Sequence, residues 1–112
     1  MTLKEIKNMI DSIGLPSVYR AWPENRAPKL PYICYQLPNS DNFNADDTVF
    51  QQIEVLSIEL YSREKSPETE KKVEDVLNAS GIPWEKSEIY IKSEHMMEVL
   101  YEMEVIYNNG DE

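Results

Sequence analysis

The stretch from Gln51 to Gly81, QQIEVLSIELYSREKSPETEKKVEDVLNASG, constrains the fold most, because in it a strand-forming run empties directly into a capped helix. Residues Ile53 to Tyr61 are rich in the β-branched, aromatic and leucine side chains that fit a pleated surface. Leu56, Ile58 and Leu60 alternate with Ser57 and Glu59 at the period of a half-buried strand. The phase shifts between Val55 and Leu56, so either a β-bulge re-aims the strand there or both of its faces are partly buried; the bulge is the expectation. The following helix is signalled at both ends. Ser66 suits the N-cap, Pro67 the first helical position, and Glu68 and Glu70 the positive end of the dipole. Val73, Val76 and Leu77 form its apolar stripe, and Gly81 and Pro83 close it.

The rest of the chain supplies partners for this unit. Thr2 and Glu5 have the spacing of a capping box, and Leu3, Ile6, Met9, Ile10 and Ile13 form one face of a helix from Thr2 to Ile13 that Gly14 ends. Ser17 to Trp22 reads as a short strand, with Val18, Arg20 and Trp22 on one side. A proline-punctuated loop leads to a second strand, Pro31 to Leu37. Pro38 to Thr48 is polar, turn-rich and long for a hairpin connection. Glu88 to Lys92 is a further strand, Ser93 to His95 a turn, and Met96 to Tyr107 the last strand. That strand sets Met97, Val99, Tyr101, Met103, Val105 and Tyr107 against Glu98, Glu102 and Glu104, so its glutamate face is expected to be solvated.

The order αβββαββ predicts an α+β fold: one domain over residues 1–107, with an antiparallel sheet of four to five strands and both helices on one face. Residues 108–112 are a polar tail. The sheet's other face carries enough tyrosine and aliphatic residues to suggest partial cover by another chain.

At 112 residues the chain suits a single core. No apolar run approaches the length of a membrane span, and the N-terminus opens a helix rather than a signal peptide, so a soluble protein made in a cytoplasm is expected. A formal net charge of −10 argues against binding a nucleic-acid backbone, which requires clustered Lys and Arg. Acidity suits a basic partner or a surface past which DNA slides, and by default it serves solubility.

Little here points to catalysis. Cys34, the only cysteine, lies in the apolar run Tyr32-Ile33-Cys34-Tyr35 and reads as a small buried hydrophobe. His95, the only histidine, excludes a His-pair metal site and a Ser/His/Asp triad, and reads as a surface turn residue. Asn42-x-Asn44-x-Asp46 imitates the start of a calcium-binding EF-hand loop, but Asp47 stands where Gly is required and Ile53 where a bidentate Glu is required; only loose cation occupancy at Asp41, Asp46 and Asp47 is conceivable. The three glycines form no phosphate-cradling loop. No enzyme and no cofactor are expected. Phe43, the one large apolar residue of its loop, either anchors a partner or folds back over its own domain.

Five segments together resemble small phage and prophage proteins of Gram-positive hosts encoded among the head–tail joining genes. They are Thr2-Leu3-Lys4-Glu5-Ile6, Leu30-Pro31-Tyr32-Ile33, Asn42-Phe43-Asn44-Ala45-Asp46, Ile58-Glu59-Leu60-Tyr61 with Pro67-Glu68-x-Glu70, and Val99-Leu100-Tyr101-Glu102-Met103-Glu104-Val105. The likeness covers nearly the whole chain as pattern and order, without a single diagnostic motif. Such proteins look like tail-terminator or tail-completion subunits. The resemblance implies a ring, usually of six, that caps the tail tube, meets the head connector and lets DNA pass through its lumen. It implies tail and connector proteins as partners, neither membrane nor specific nucleic-acid binding, and a place in the bacterial host cytoplasm during assembly and then in the virion. The candidate interaction residues are Asn42, Phe43, Asn44, Asp46 and Asp47 in the loop, and Glu98, Glu102 and Glu104 on the last strand. A ring that forms alone and one that forms only on the tube are both compatible with the sequence. The competing class is an acidic binding module, such as a DNA-mimic inhibitor; acids interleaved with lysine favour the ring.

Overall fold

The computed structural model describes residues 1–45 and 48–108, the side chains of Val49 and Phe50 excepted. The elements in order are α1 (Leu3–Asp11), β1 (Ser17–Tyr19), β2 (Tyr32–Ser40), β3 (Phe43–Ala45), β4 (Thr48–Gln51), β5 (Ile53–Ser62), α2 (Pro67–Ala79), β6 (Trp84–Ile91) and β7 (Met96–Ile106). A 3₁₀ turn at Lys92–Glu94 and a left-handed His95 (φ 51°) join the last two strands. The main sheet has the order β1-β2-β5-β7-β6, and β3 and β4 form a separate two-stranded ribbon. The protein is thus a small α+β domain, and both helices lie on one face of a mostly antiparallel sheet.

Each helix forms where its caps direct. Thr2 Oγ1 accepts from Glu5 N–H at 3.1 Å and Glu5 Oε1 accepts from Thr2 N–H at 2.9 Å, the reciprocal pair of a capping box. Ser66 caps α2 by accepting from Thr69 N–H at 3.4 Å. Replacing Thr2 by Ala is expected to cost about 1 kcal/mol, read from a urea unfolding midpoint. Gly14 (φ 90°) and Gly81 (φ 75°) take the left-handed geometry that turns the chain away after each helix.

The apolar stripes meet in one cluster. Ile6 and Ile10 of α1 and Val73 and Leu77 of α2 pack on Ile33, Leu56, Ile58, Leu60, Val99 and Tyr101 of the three central strands. Because β6 returns parallel to β5 on the far side of β7, the β5-α2-β6 connection is a split crossover, and α2 is laid across the sheet by it.

Four local expectations are corrected. β5 has no bulge: it pairs with β7 without interruption from Ile53↔Ile106 to Ser62↔Met97. Its phase change reflects burial on both faces, with Ile53 and Val55 half-buried on the face away from the helices and Leu56, Ile58 and Leu60 in the core. The bulge lies in its neighbour, where β2 spends one extra residue between Gln36 and Asn39 around Pro38, which has no N–H to place in a regular ladder. β1 stops at Tyr19 because Arg20 is left-handed (φ 71°), and it pairs parallel to β2. Finally, the segment from Pro38 is not an irregular loop: β2 continues to Ser40, and the ribbon follows. Of the expected tail, Asn108 is described, and its N–H donates to Met1 O at 2.9 Å.

Candidate interaction surface

The face of the sheet away from the helices is built from alternate residues of four strands, so register fixes its rows. Tyr32, Tyr61, Glu98 and Ile89 form one row across β2, β5, β7 and β6; Cys34, Glu59, Leu100 and Ser87 form the next; Gln36, Ser57, Glu102 and Glu85 form the third. The Tyr32 and Tyr61 rings lie 5.5 Å apart, and Trp22 meets Tyr32 edge-on at 5.8 Å, so the chain leaving β1 covers this end of the face.

That cover changes the glutamates. Glu98 is half-buried rather than solvated as expected, and it lies diagonally from Glu59 on the adjacent strand. Burial, reinforced by a hydrogen bond with the Glu59 carboxylate, raises its carboxyl to about 7. Two carboxylates in contact under partial cover cannot both ionise freely, so the pair holds a proton near neutrality. Tyr61 donates to Glu59 Oε2 at 2.6 Å, and burial with that bond pushes the phenol upward. Cys34 is buried, and burial first, then Glu59 and Glu98, push its thiol up to about 11. It therefore holds little of the thiolate that reacts. The cavity beside Glu98, between Ser87, Ile89 and Leu100, measures about 60 Å³. It admits water, whereas small-molecule sites measure about 300–1,000 Å³.

Glu102 and Glu104 are exposed at the other end of the same face. Glu85 stands directly opposite Glu102, and a hydrogen bond with Asp41 raises the Glu104 carboxyl. Like charges so placed repel, so Asp41, Glu85, Glu102 and Glu104 form an acidic patch. Six residues of strand, about 20 Å, separate Glu98 from Glu104, so the three predicted glutamates divide into two environments.

The predicted loop residues divide too. Asn42 Oδ1 accepts from Ile53 N–H at 3.0 Å and so pins the ribbon's base. Phe43 is 56% exposed on β3, and Asn44 is exposed opposite Val49. Asp46 and Asp47 lie outside the described residues. With the ribbon extending the β2/β5 pair, the principal extents are 48 × 27 × 26 Å.

Sequence reading missed two polar features. Glu70, placed by sequence at the helix dipole, is buried and bound by Lys86 at 2.6 Å and Lys65 at 2.9 Å. Burial pushes its carboxyl up, but the two ammonium groups outweigh that and hold it below its usual range. The second is a cavity of about 660 Å³ at the end of the sheet opposite the ribbon, where Lys29, Arg63 and Lys65 surround Leu30 and Pro31. Arg63 and Lys65 lie in the β5–α2 connection and Lys29 in the β1–β2 connection, so only the return of the chain to one corner brings Lys29 to the other two.

Among the described residues, no three His, Cys, Asp or Glu side chains come together to hold a metal ion, and no helix is long and apolar enough to cross a membrane. No protein-family model and no curated protein matches the chain.

Proposed function

We propose that this protein is a structural subunit of phage or prophage head–tail joining, a tail-terminator or tail-completion protein that acts by self-association at the end of the tail tube. The observation that carries this reading is the ribbon: a two-stranded projection bearing an exposed Phe43, set on the end of a sheet whose centre is fully packed. A large exposed aromatic on a projecting element is the usual form of an interface anchor. The acidic patch of Glu85, Glu102 and Glu104 supports the same role, since it would repel DNA phosphates in a lumen and favour a cationic docking surface.

The test is capping. Purified protein added to growing phage tail tubes is expected to arrest elongation and to leave a terminal ring in negative-stain micrographs. Phe43→Ala is expected to weaken capping at least tenfold in the protein concentration required, the effect of losing one aromatic anchor. Tubes that continue to lengthen in the presence of the unaltered protein would sink the proposal.

A further inference from the structure

The two edges of the main sheet are protected differently. β1 is three residues long and stops at the left-handed Arg20, so it offers little backbone to a further strand. β6, at the other edge, runs eight residues from Trp84 to Ile91 and pairs with β7 in unbroken register, with no bulge and no proline inside it. Glu85 to Tyr90 are all exposed, and two of them are large apolar residues: Ile89 at 60% and Tyr90 at 54%. Among the described residues, nothing pairs with the outer edge of β6. A long, regular edge of this kind presents a row of open N–H and C=O groups that takes up another strand.

The side chains of β6 specify which strand. Trp84, Lys86, Glu88 and Tyr90 lie on the helix side of the sheet, opposite Met103, Tyr101, Val99 and Met97 of β7, and Glu85, Ser87 and Ile89 lie on the other side. A two-fold axis through Ser87, perpendicular to the sheet, sets β6 antiparallel to a second β6 and keeps the helices of both copies on one side. Lys86 then faces the partner's Glu88, Trp84 the partner's Tyr90, Glu85 the partner's Ile89, and Ser87 its own counterpart, each unlike pair occurring twice. Opposite charges and aromatic rings so placed stabilise a strand pair. Moving the axis by one residue either way sets Lys86 against Lys86 or Glu88 against Glu88, which repel. Internal ion pairs leave room for these contacts. Lys86 Nζ meets Glu70 at 2.6 Å and Glu74 at 2.7 Å, and Glu88 Oε1 meets Lys65 at 2.6 Å. An ammonium has three donors and a carboxylate two oxygens, so each keeps one for a partner.

From this we infer that β6 pairs antiparallel with β6 of a second copy of the chain, about a two-fold axis at Ser87, and joins the two main sheets into one. The contact is isologous and closes at two copies, unlike a head-to-tail contact, which repeats from one subunit to the next. It uses no part of the ribbon, so it stands or falls apart from the tail-terminator reading.

Disulfide trapping tests the register. In a Cys34→Ala background, Ser87→Cys is expected to form a disulfide-linked dimer under copper–phenanthroline oxidation roughly fivefold faster than Lys72→Cys on the exposed face of α2, because directly opposed residues bring their Cβ atoms within disulfide reach. A mixture of Glu85→Cys and Ile89→Cys is expected to give mainly the mixed disulfide, since each residue lies about 13 Å along the strand from its own counterpart. Sedimentation velocity supplies a readout without cysteines. The unaltered protein is expected to move from monomer to dimer as its concentration rises, and Ser87→Lys, which sets two ammonium groups together at the axis, to weaken the dimer roughly tenfold while leaving the thermal midpoint of the monomer in place. Ser87→Cys that oxidises no faster than the α2 control, or an unaltered protein that remains monomeric at every concentration, overturns the inference.

Discussion

Replacing Tyr101 by alanine is expected to destabilise the protein by about 3–5 kcal/mol, a large share of the roughly 5–15 kcal/mol that holds a domain folded. Tyr101 is fully buried at the centre of β7 and serves three neighbours at once. Its ring meets Trp84 edge-on at 5.5 Å, Lys86 Nζ stands 5.9 Å from its centroid, and its hydroxyl donates to Glu74 Oε2 at 2.7 Å. The truncation would leave a cavity under α2 and would also leave Glu74 and Lys86 short of a partner. A fall of about 15–25 °C in the thermal midpoint is the expected reading. Tyr101→Phe keeps the ring and removes only the hydrogen bond, so a loss of about 1–2 kcal/mol is expected from it. Equal losses from the two variants would mean that the hydroxyl, not the ring, carries the site.

The second large effect is on pH dependence. Glu98, raised to about 7 by burial and by Glu59, binds a proton in the folded chain over a window in which the unfolded chain has already lost it. Between the ordinary carboxylate range and pH 7 the folded state therefore holds more protons, and raising the pH through that window removes stability. Glu70 has the opposite sign: its lowered carboxyl stabilises above the unfolded value and ceases to do so as the pH falls through its folded value. Stability from these two groups is thus greatest near pH 5. Glu98→Gln, which retains the neutral partner's shape and donates to Glu59, is expected to flatten the upper limb and to exceed the unaltered protein by about 1–3 kcal/mol at pH 8. Urea midpoints measured from pH 4.5 to 8.5 decide it, and parallel profiles for the two proteins would show that the pair does not share a proton. Among the described residues, the groups facing Glu98 are Glu59 and Tyr61 on β5, Cys34 on β2 and Ile89 on β6, none of them a cation.

Most of the fold was legible where a local rule and the tertiary structure demanded the same thing. Thr2 and Glu5 announce α1, Ser66 and Pro67 announce α2, and the alternation from Met97 to Val105 gives β7 and its buried face. Legibility failed where the signal was shared between elements. The phase change at Val55 and Leu56 looks like a bulge because a sequence cannot show whether one face or two are covered, and here Ile53 and Val55 are half-buried on the second. The candidate site was legible only in part. Phe43 stood out as the one large apolar residue in a polar stretch, whereas the division of the last strand's glutamates depended on Glu59, which no spacing within β7 could reveal.

The amino-acid sequence by itself determined the two amphipathic helices and the strands that pack beneath them. These follow from caps, period and residue type, which act over a few residues. Only the tertiary structure decided that β3 and β4 pair as a separate ribbon, that Glu98 meets Glu59, and that Lys29, Arg63 and Lys65 converge at the sheet's far end. Such placements depend on strand register and on the return of distant segments to one corner, and neither is encoded in any window of the chain short enough to read as a motif.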